Sequence, residues 1–317
     1  MPRQKAVFLC LTRATMASSM DNTKTPLFNG RVLMSGTYYF SDSQAINAYM
    51  DSHVRIDLDK AHAEHDQIQA ALSAAGVEVV KVTPPADCQD GVYTANWALV
   101  RGQKAVMSRL PNARKGEEAY AQSQLESLGF ETIIAPEDWH FSGQGDALPC
   151  GNYLLAGSDY RTDPRVHAFL AETLGYEVIG LRTKPKRNLF GFPVINKASG
   201  WPDSYYYDID LALAVIRPHT SDQPGLIAWA PHAFTRTSRA KIRALPMEKI
   251  EVSVREAKHA FACNLVSTGR TVIMSAFAPK LKKALEARGY TVVTPVIHEL
   301  GKGGGYIRCT TLTLDNK

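Results

Sequence analysis

Leu125-Glu-Ser-Leu-Gly129-Phe-Glu-Thr-Ile-Ile134 decides the fold, because the chain writes this sentence more than once. A helix-forming run ends on a glycine, the residue that takes the left-handed position after a helix at no steric cost. A short β-branched run follows and reads as a strand. Ala171-Glu-Thr-Leu-Gly175 leads in the same way into Tyr-Glu-Val-Ile-Gly-Leu181, and Leu285-Glu-Ala-Arg-Gly289 into Tyr-Thr-Val-Val-Thr294. Upstream, a helix over 56–76, with Asp57 and Asp59 as candidate caps and Gly76 as its stop, leads into Val77-Glu-Val-Val-Lys-Val82. The stop glycines lie 53, 46 and 114 residues apart, and the last gap is two periods, so a further copy is expected near residue 232. Thr237 to Leu245, then Pro246, then Lys249-Ile-Glu-Val-Ser253 supplies it, with Pro in place of the glycine signal. Helix–turn–strand units recurring at roughly 50 residues make a repeat architecture of five units.

A second kind of segment follows each unit: polar residues, then an apolar strand. In order these are Asp90 to Val100, Phe141-Ser-Gly-Gln-Gly-Asp-Ala-Leu148, Asp208 to Ile216, Cys263-Asn-Leu-Val266, and Cys309 followed by Thr-Thr-Leu-Thr-Leu314. If five units close around an axis, equivalent strand ends meet at the centre. Asn96, Asp146, Asp208, Asp210 and Cys309 would converge there. Before Cys309 stand Gly303, Gly304 and Gly305, which let the backbone approach another group closely. A thiol at a strand end beside a glycine loop and Arg308 reads either as a buried free cysteine or as an activated nucleophile.

Bulk properties bound the function. The 317 residues are 45% hydrophobic and 21% charged, as in a globular protein, and the net charge of +5 is scattered. Only Lys184, Lys186 and Arg187 cluster, and they read as a solvated loop. Neither a nucleic-acid nor a membrane partner is expected. Five cysteines without paired spacing argue for a reducing, cytoplasmic compartment and against a disulfide framework. No CxxC or HxxxH spacing suggests a metal, and no cofactor is called for. The first 20 residues are basic and free of acids, which suits either a targeting presequence or an N-terminal extension. We take 1–30 as an extension and 31–317 as a single α/β domain that acts on a small molecule and is compatible with a homo-oligomer. The loop-rich insertion 182–204 is expected to form a lid or wall over the site.

Carboxylates and an amide around a thiol suit a planar cation, since a guanidinium offers five N–H donors in a fixed fork. A thiolate can attack its central carbon to give a covalent intermediate, provided that a proton shuttle serves the leaving nitrogen. Leu33-Met-Ser35, Thr94-Ala-Asn96, Arg114-Lys-Gly-Glu117, Gly143-Gln-Gly-Asp146, Asp208-Ile-Asp210 and Gly303-Gly-Gly-Tyr-Ile-Arg-Cys309 carry a resemblance over residues 31–316. The chain resembles the guanidino-group-modifying, or pentein, superfamily: arginine deiminases, dimethylarginine dimethylaminohydrolases and amidinotransferases.

That resemblance implies a five-bladed α/β propeller with a central site. It implies that Cys309 is the nucleophile, that Arg114 holds a substrate α-carboxylate, and that Asp210 binds the guanidinium. Asp146 ends the loop motif. Asn96 stands where deiminases have Asp and resembles the arginine dihydrolases of the superfamily. Two positions depart from the family pattern: its loop Glu is Ser142, and its acid/base His is Asp208.

Three readings follow for an enzyme that cleaves or transfers at C–N bonds of guanidino compounds. Asp208 is the proton shuttle; or a distant imidazole, His298 or His140, serves; or the chain binds a small cationic amino-acid-like ligand without turnover. Tyr205-Tyr-Tyr207 and Trp97 either line the pocket or pack in the core. Cys150 and Cys263 are expected in the core.

Overall fold

The computed structural model describes residues 27–51, 53–197 and 199–317. Every predicted helix–turn–strand unit is present, and each belongs to a three-stranded sheet built to one plan. A central strand pairs antiparallel with the strand before it, then crosses through a helix to a parallel outer strand.

In the unit around the opening stretch, β3 (Ala98–Arg101) and β4 (Lys104–Met107) form the antiparallel pair, and α2 (Gly116–Ser127) crosses to β5 (Glu131–Ile134). The next unit repeats this with β6 (Ala147–Cys150), β7 (Tyr153–Ala156), α3 (Val166–Leu174) and β8 (Glu177–Gly180). The copy without its glycine has β9 (Leu213–Arg217), β10 (Gly225–Trp229), α4 (Arg236–Ala244) and β11 (Met247–Glu251). After the short α5 (Val254–His259) come β12 (Val266–Ser267), β13 (Thr271–Ile273), α6 (Pro279–Glu286) and β14 (Thr291–Val293).

The first unit is split between the two ends of the chain. It has β1 (Arg31–Met34), α1 (Leu58–Ala74) and β2 (Glu78–Lys81), and its antiparallel partner is β15 (Leu312–Thr313) near the C-terminus. Val32 faces Thr313, and Leu33 faces Leu312.

Local chemistry explains the elements. Asp57 caps α1 by accepting from the Lys60 N–H at 3.2 Å, and Thr235 caps α4 through the Ser238 N–H at 3.3 Å. Gly129 takes φ +87° after α2, where a side chain would be strained. The buried face of α1 is Ala61, Glu64, His65, Ile68 and Leu72, the spacing of one helical stripe against its sheet. The central strands β4, β7 and β10 are largely buried, with the run Leu226, Ile227, Ala228 and Trp229 in β10. The outer parallel strands β2, β5 and β8 are only partly covered.

Phe28 and Asn29 fell within the predicted N-terminal extension, yet they are tied to the sheets. The Phe28 N–H donates to Thr268 O at 3.2 Å, and Asn29 Nδ2 donates to Ser267 O at 2.8 Å. Residues 1–26, including any presequence, lie outside the described residues. Among the described residues no helix is long and apolar enough to cross a membrane. The four described cysteines, Cys88, Cys150, Cys263 and Cys309, are free and buried.

The turn into the glycine loop depends on a buried carboxylate. Glu64 on α1 accepts from the backbone N–H groups of His298, Glu299 and Leu300 at 2.7–3.0 Å, at the start of α7 (Glu299–Lys302). Removing it leaves buried donors without partners, at about 1–3 kcal/mol each before relaxation. Glu64→Ala is therefore expected to lower the urea midpoint well beyond Glu64→Gln, which keeps an acceptor in place. Equal midpoints for the two variants would refute this role.

Candidate active site

The same place in each unit, the short turn that precedes its antiparallel strand, supplies the polar residues. Turns at Thr94–Asn96, Gly143–Gly145 and Ile209–Leu211 lead into β3, β6 and β9. Asn264 precedes β12, and Cys309 precedes β15. The turns approach one another too closely for side chains at every position. At Gly145 a Cβ would collide with Asn96 Nδ2 and lie 3.0 Å from Asp208 Oδ2.

Cys309 is 2% exposed and bonded on two sides. Its Sγ receives the Asn264 amide at 3.1 Å and donates to Asp210 Oδ2 at 3.4 Å. The other end of the Asn264 amide, Oδ1, accepts from the backbone N–H groups of Cys309 and Tyr306, each at 3.1 Å. One amide thus holds both the thiol and its main chain. Burial pushes the thiol well above its ordinary pKa of 9.0, and the negative charges of Asp210 and Asp208 act in the same direction.

Asp210 is also raised well above the carboxylate range, by burial first and then by Asp208, with Arg308 pulling it back. Its Oδ1 is buried without a hydrogen-bond partner, as is Oδ1 of Asp208. Oδ2 of Asp208 accepts from Asn96 Nδ2 at 2.9 Å and lies 3.9 Å from Arg161 Nη1. Among the described residues no histidine is a hydrogen-bond partner of Cys309. His140 is stacked on Trp201 with ring centroids 4.1 Å apart. His298 is exposed, with its ring 4.9 Å from that of Phe277.

Arg114 departs from its sequence-based assignment. It is 2% exposed, and its guanidinium is committed within the protein. Nε and Nη2 grip the two Glu117 oxygens at 2.8 and 2.7 Å. Nη1 donates to Asn96 Oδ1 at 2.8 Å, and Nη2 also reaches Asp90 O and Tyr93 O. A carboxylate ligand would have to displace a buried, bidentate ion pair. Arg114 therefore positions Asn96, whose amide in turn donates to Ser142 Oγ, Ser142 O and Asp208.

Asp146 also holds structure together. Its Oδ1 accepts from the Ile209 N–H at 2.9 Å, fastening the turn that carries Asp208 and Asp210, and burial raises its pKa strongly. Trp97 donates to Glu117 Oε2 at 2.9 Å and packs in the core.

Two site residues escaped the sequence reading. Asn264 occupied the expected polar position of its unit but was passed over beside Cys263. Arg161, in the loop after β7, sits in no repeat position and gave no signal. It is 6% exposed, with its guanidinium 3.9 Å from the Tyr207 ring centroid and next to Asp208.

The cover over the site also differs from expectation. The stretch 36–51 lies across it, with Asn47 Nδ2 donating to Gly303 O at 2.9 Å and Ile46 O accepting from Arg161 at 3.5 Å. The insertion 182–204 flanks that segment through Asn196 Nδ2 to Ala45 O at 3.1 Å, while Leu189 and Phe190 at its tip are exposed. Tyr205 meets Tyr49 edge-on, and the Tyr207 hydroxyl donates to Gly304 O at 2.8 Å. Among the described residues, no group of three or more His, Cys, Asp or Glu side chains is placed to hold a metal ion.

No family model matches the sequence. The N(G),N(G)-dimethylarginine dimethylaminohydrolase of Mycobacterium tuberculosis is 31% identical over 286 residues, covering 90% of this chain and 85% of that protein. The bifunctional arginine dihydrolase/ornithine cyclodeaminase AgrE of Nostoc sp. is 30% identical over 89% of this chain, which spans only 37% of that longer protein. Among solved structures, the product-bound N-terminal domain of ArgZ, a cyanobacterial arginine dihydrolase, superposes with a TM-score of 0.79 at 27% identity, covering 92% of this chain and 98% of that one. DDAH from Pseudomonas aeruginosa, at 17% identity and a TM-score of 0.69, shares the fold. With 31% identity to a dimethylarginine dimethylaminohydrolase across 90% of its length, and with the same α/β fold, the chain belongs to the guanidino-group-modifying, or pentein, superfamily.

Proposed function

We propose that the protein is a hydrolase that cleaves a C–N bond of an arginine-like guanidino compound through a covalent intermediate on Cys309. The observation that carries this reading is the buried thiol held between Asn264 and Asp210, beside two carboxylates that each keep one unpartnered oxygen. Two such oxygens can accept the forked N–H groups of a guanidinium and set its carbon against the sulfur. The relatives support hydrolysis over amidino transfer, because their names describe hydrolases. One ArgZ variant has been solved covalently bound to a reaction intermediate.

In this reading Cys309 Sγ bonds to the guanidinium carbon, its proton passing by way of Asp210 to Asp208. A C–N bond breaks, and the nitrogen leaves as ammonia or an amine after taking that proton from Asp208. Water then adds to the carbon, the C–S bond breaks, and a ureido product and the free thiol remain. Asp208 is the shuttle in the position of the family's imidazole. Asn96, held by Arg114, orients Asp208 and Ser142. Arg161 is the buried cation available to an anionic group of the substrate, because Arg114 is already paired.

We further read the five sheets as blades of one propeller and 31–317 as one catalytic domain. Support comes from the site itself, whose residues occupy equivalent turns of successive units, and from the pairing of β15 with β1.

Two outcomes are expected. Incubated with a panel of guanidino compounds, the wild type should show a mass adduct and release ammonia or an amine, and Cys309→Ser should do neither. Asp208→Asn should lower kcat/KM about a hundredfold or more, as loss of an acid/base group does. Neither adduct nor product from any compound would sink the hydrolase reading, and full activity in Asp208→Asn would remove it as the shuttle. Because the ligand-free thiol is raised above 9.0, its thiolate is scarce at neutral pH and grows as pH rises. Alkylation of Cys309 by iodoacetamide should therefore climb steadily from pH 7 through pH 9. A plateau already reached at pH 7 would contradict that.

A further inference from the structure

The site has a back as well as a roof. Against Asp210, the carboxylate that bonds the thiol, lies a narrow chamber whose inner end is formed by Asp210, Cys263 and Arg308. Its free space, about 20 Å³ for the centre of a water-sized molecule, is enough for roughly one water. The chamber's outer end is formed by Phe28, Asn29 and Pro149. These same residues line a groove of about 400 Å³ at the far ends of the strands, between the β6–β7 turn, the β12–β13 turn and the C-terminus. Strand β6 runs from Ala147, next to Asp146, to Cys150 at the groove, so the two ends are separated by about four residues, or roughly 13 Å.

Asp210 stands where the chamber meets the reacting group. Its Oδ2 takes the thiol of Cys309 at 3.4 Å, and its Oδ1 is buried with no protein partner. A buried carboxylate oxygen without a partner is costly unless a water completes it. Arg308 adds polarity at the same wall, its Nη groups donating to Thr313 Oγ1 at 2.8 Å and to Gln144 Oε1 at 2.7 Å. The other side of the site is covered by the stretch 36–51, through Ile46 and Asn47.

We propose that this chamber and groove form a rear passage that supplies the hydrolytic water to Cys309 by way of Asp210 Oδ1, whose second lone pair stays free for the guanidinium, and lets ammonia leave on the side away from the substrate. The proposal rests on the hydrolase reading for its chemistry. The two steps together convert a guanidinium and one water into a ureido group and ammonium: a C–N bond is replaced by C–O, and no oxidant or reductant is needed. In the second step, water adds to the adduct carbon as C–S breaks. One of its protons returns to sulfur, and the other passes through the carboxylates to solvent, where the ammonia that left neutral in the first step becomes ammonium. Both small molecules are neutral and water-sized, which the chamber's dimensions admit and a substrate's do not.

Ala214 lines the chamber away from the reacting groups. Ala214→Met should leave the rate of adduct formation on Cys309 unchanged and slow adduct decay about tenfold or more, so that the adduct accumulates in the intact mass. Phe28→Trp, at the outer mouth, should slow decay in the same direction should the first variant fold poorly. A crystal structure of the wild type should hold an ordered water within hydrogen-bond distance of Asp210 Oδ1, and that water should be lost in Ala214→Met. Wild-type decay in both variants, or no water at Asp210 Oδ1, would overturn the passage. The water measurement needs no turnover. A protein that forms no adduct yet holds this water would refute the hydrolase reading and leave the rear water site standing.

Discussion

The pairing of β15 with β1 is the constraint on which the site depends. The strand that follows Cys309 is only two residues long, Leu312 and Thr313, and it completes a sheet begun at the other end of the chain. So short a strand holds little by its ladder alone, and side chains reinforce it. Gln144 donates to Thr313 O at 2.7 Å and accepts from its N–H at 3.0 Å, while the Thr313 hydroxyl bonds to Asn29 and Arg308. The loop of one unit is thereby tied to the closing strand of another. Ala95 N–H to Cys309 O at 3.0 Å ties in a third. The thiol's position is set by chain closure, with the glycine loop supplying the freedom to reach it.

Three carboxylates, Asp146, Asp208 and Asp210, lie buried in one core. Like charges in a low-dielectric interior oppose each other's ionisation, which is why burial and Asp208 raise both neighbours. Such a core persists where its polar atoms are bonded, and most are: Asp146 holds the Ile209 turn, and Asn96 holds Asp208. The two oxygens left over belong to the residues nearest the thiol. Strain concentrated on groups that would meet a cation, in an otherwise bonded network, is the pattern of a site that trades stability for function.

The sequence made the repeat legible because helix stops and strand starts are local chemistry. Gly76, Gly129, Gly175 and Gly289 all take positive φ at the predicted stops, and the copy lacking glycine ends at Leu245 before Pro246. The polar turn residues were legible because they stand at the same place in each unit, just before its antiparallel strand. What stayed hidden depends on long-range partners. Arg114 looked like a ligand-binding cation until Glu117 and Asn96 were seen to occupy it. Glu117 lies one helical turn away, so that pair was within reach of an i,i+3 argument, but Asn96 was not. Arg161 and the stretch 36–51 obey no repeat, and nothing periodic announces them.

Under the proposed function, with Asp208 as the shuttle in place of an imidazole, what must activate the thiol changes. An imidazolium beside sulfur favours the thiolate, whereas Asp208 and Asp210 disfavour it. In the ligand-free protein burial and the Asp210 charge hold the Cys309 thiol towards its protonated form, with the Tyr306 backbone and Asn264 pulling the other way. A guanidinium bound across the two free carboxylate oxygens would reverse the balance, because it brings positive charge to the sulfur and neutralises the groups that raise it. Under the proposed function, the cation to be attacked thus supplies the charge that the missing imidazole would have provided. A neutral analogue of the same shape would meet an unreactive thiol. Selectivity would then lie in the charge of the ligand before any contact with the rest of its structure.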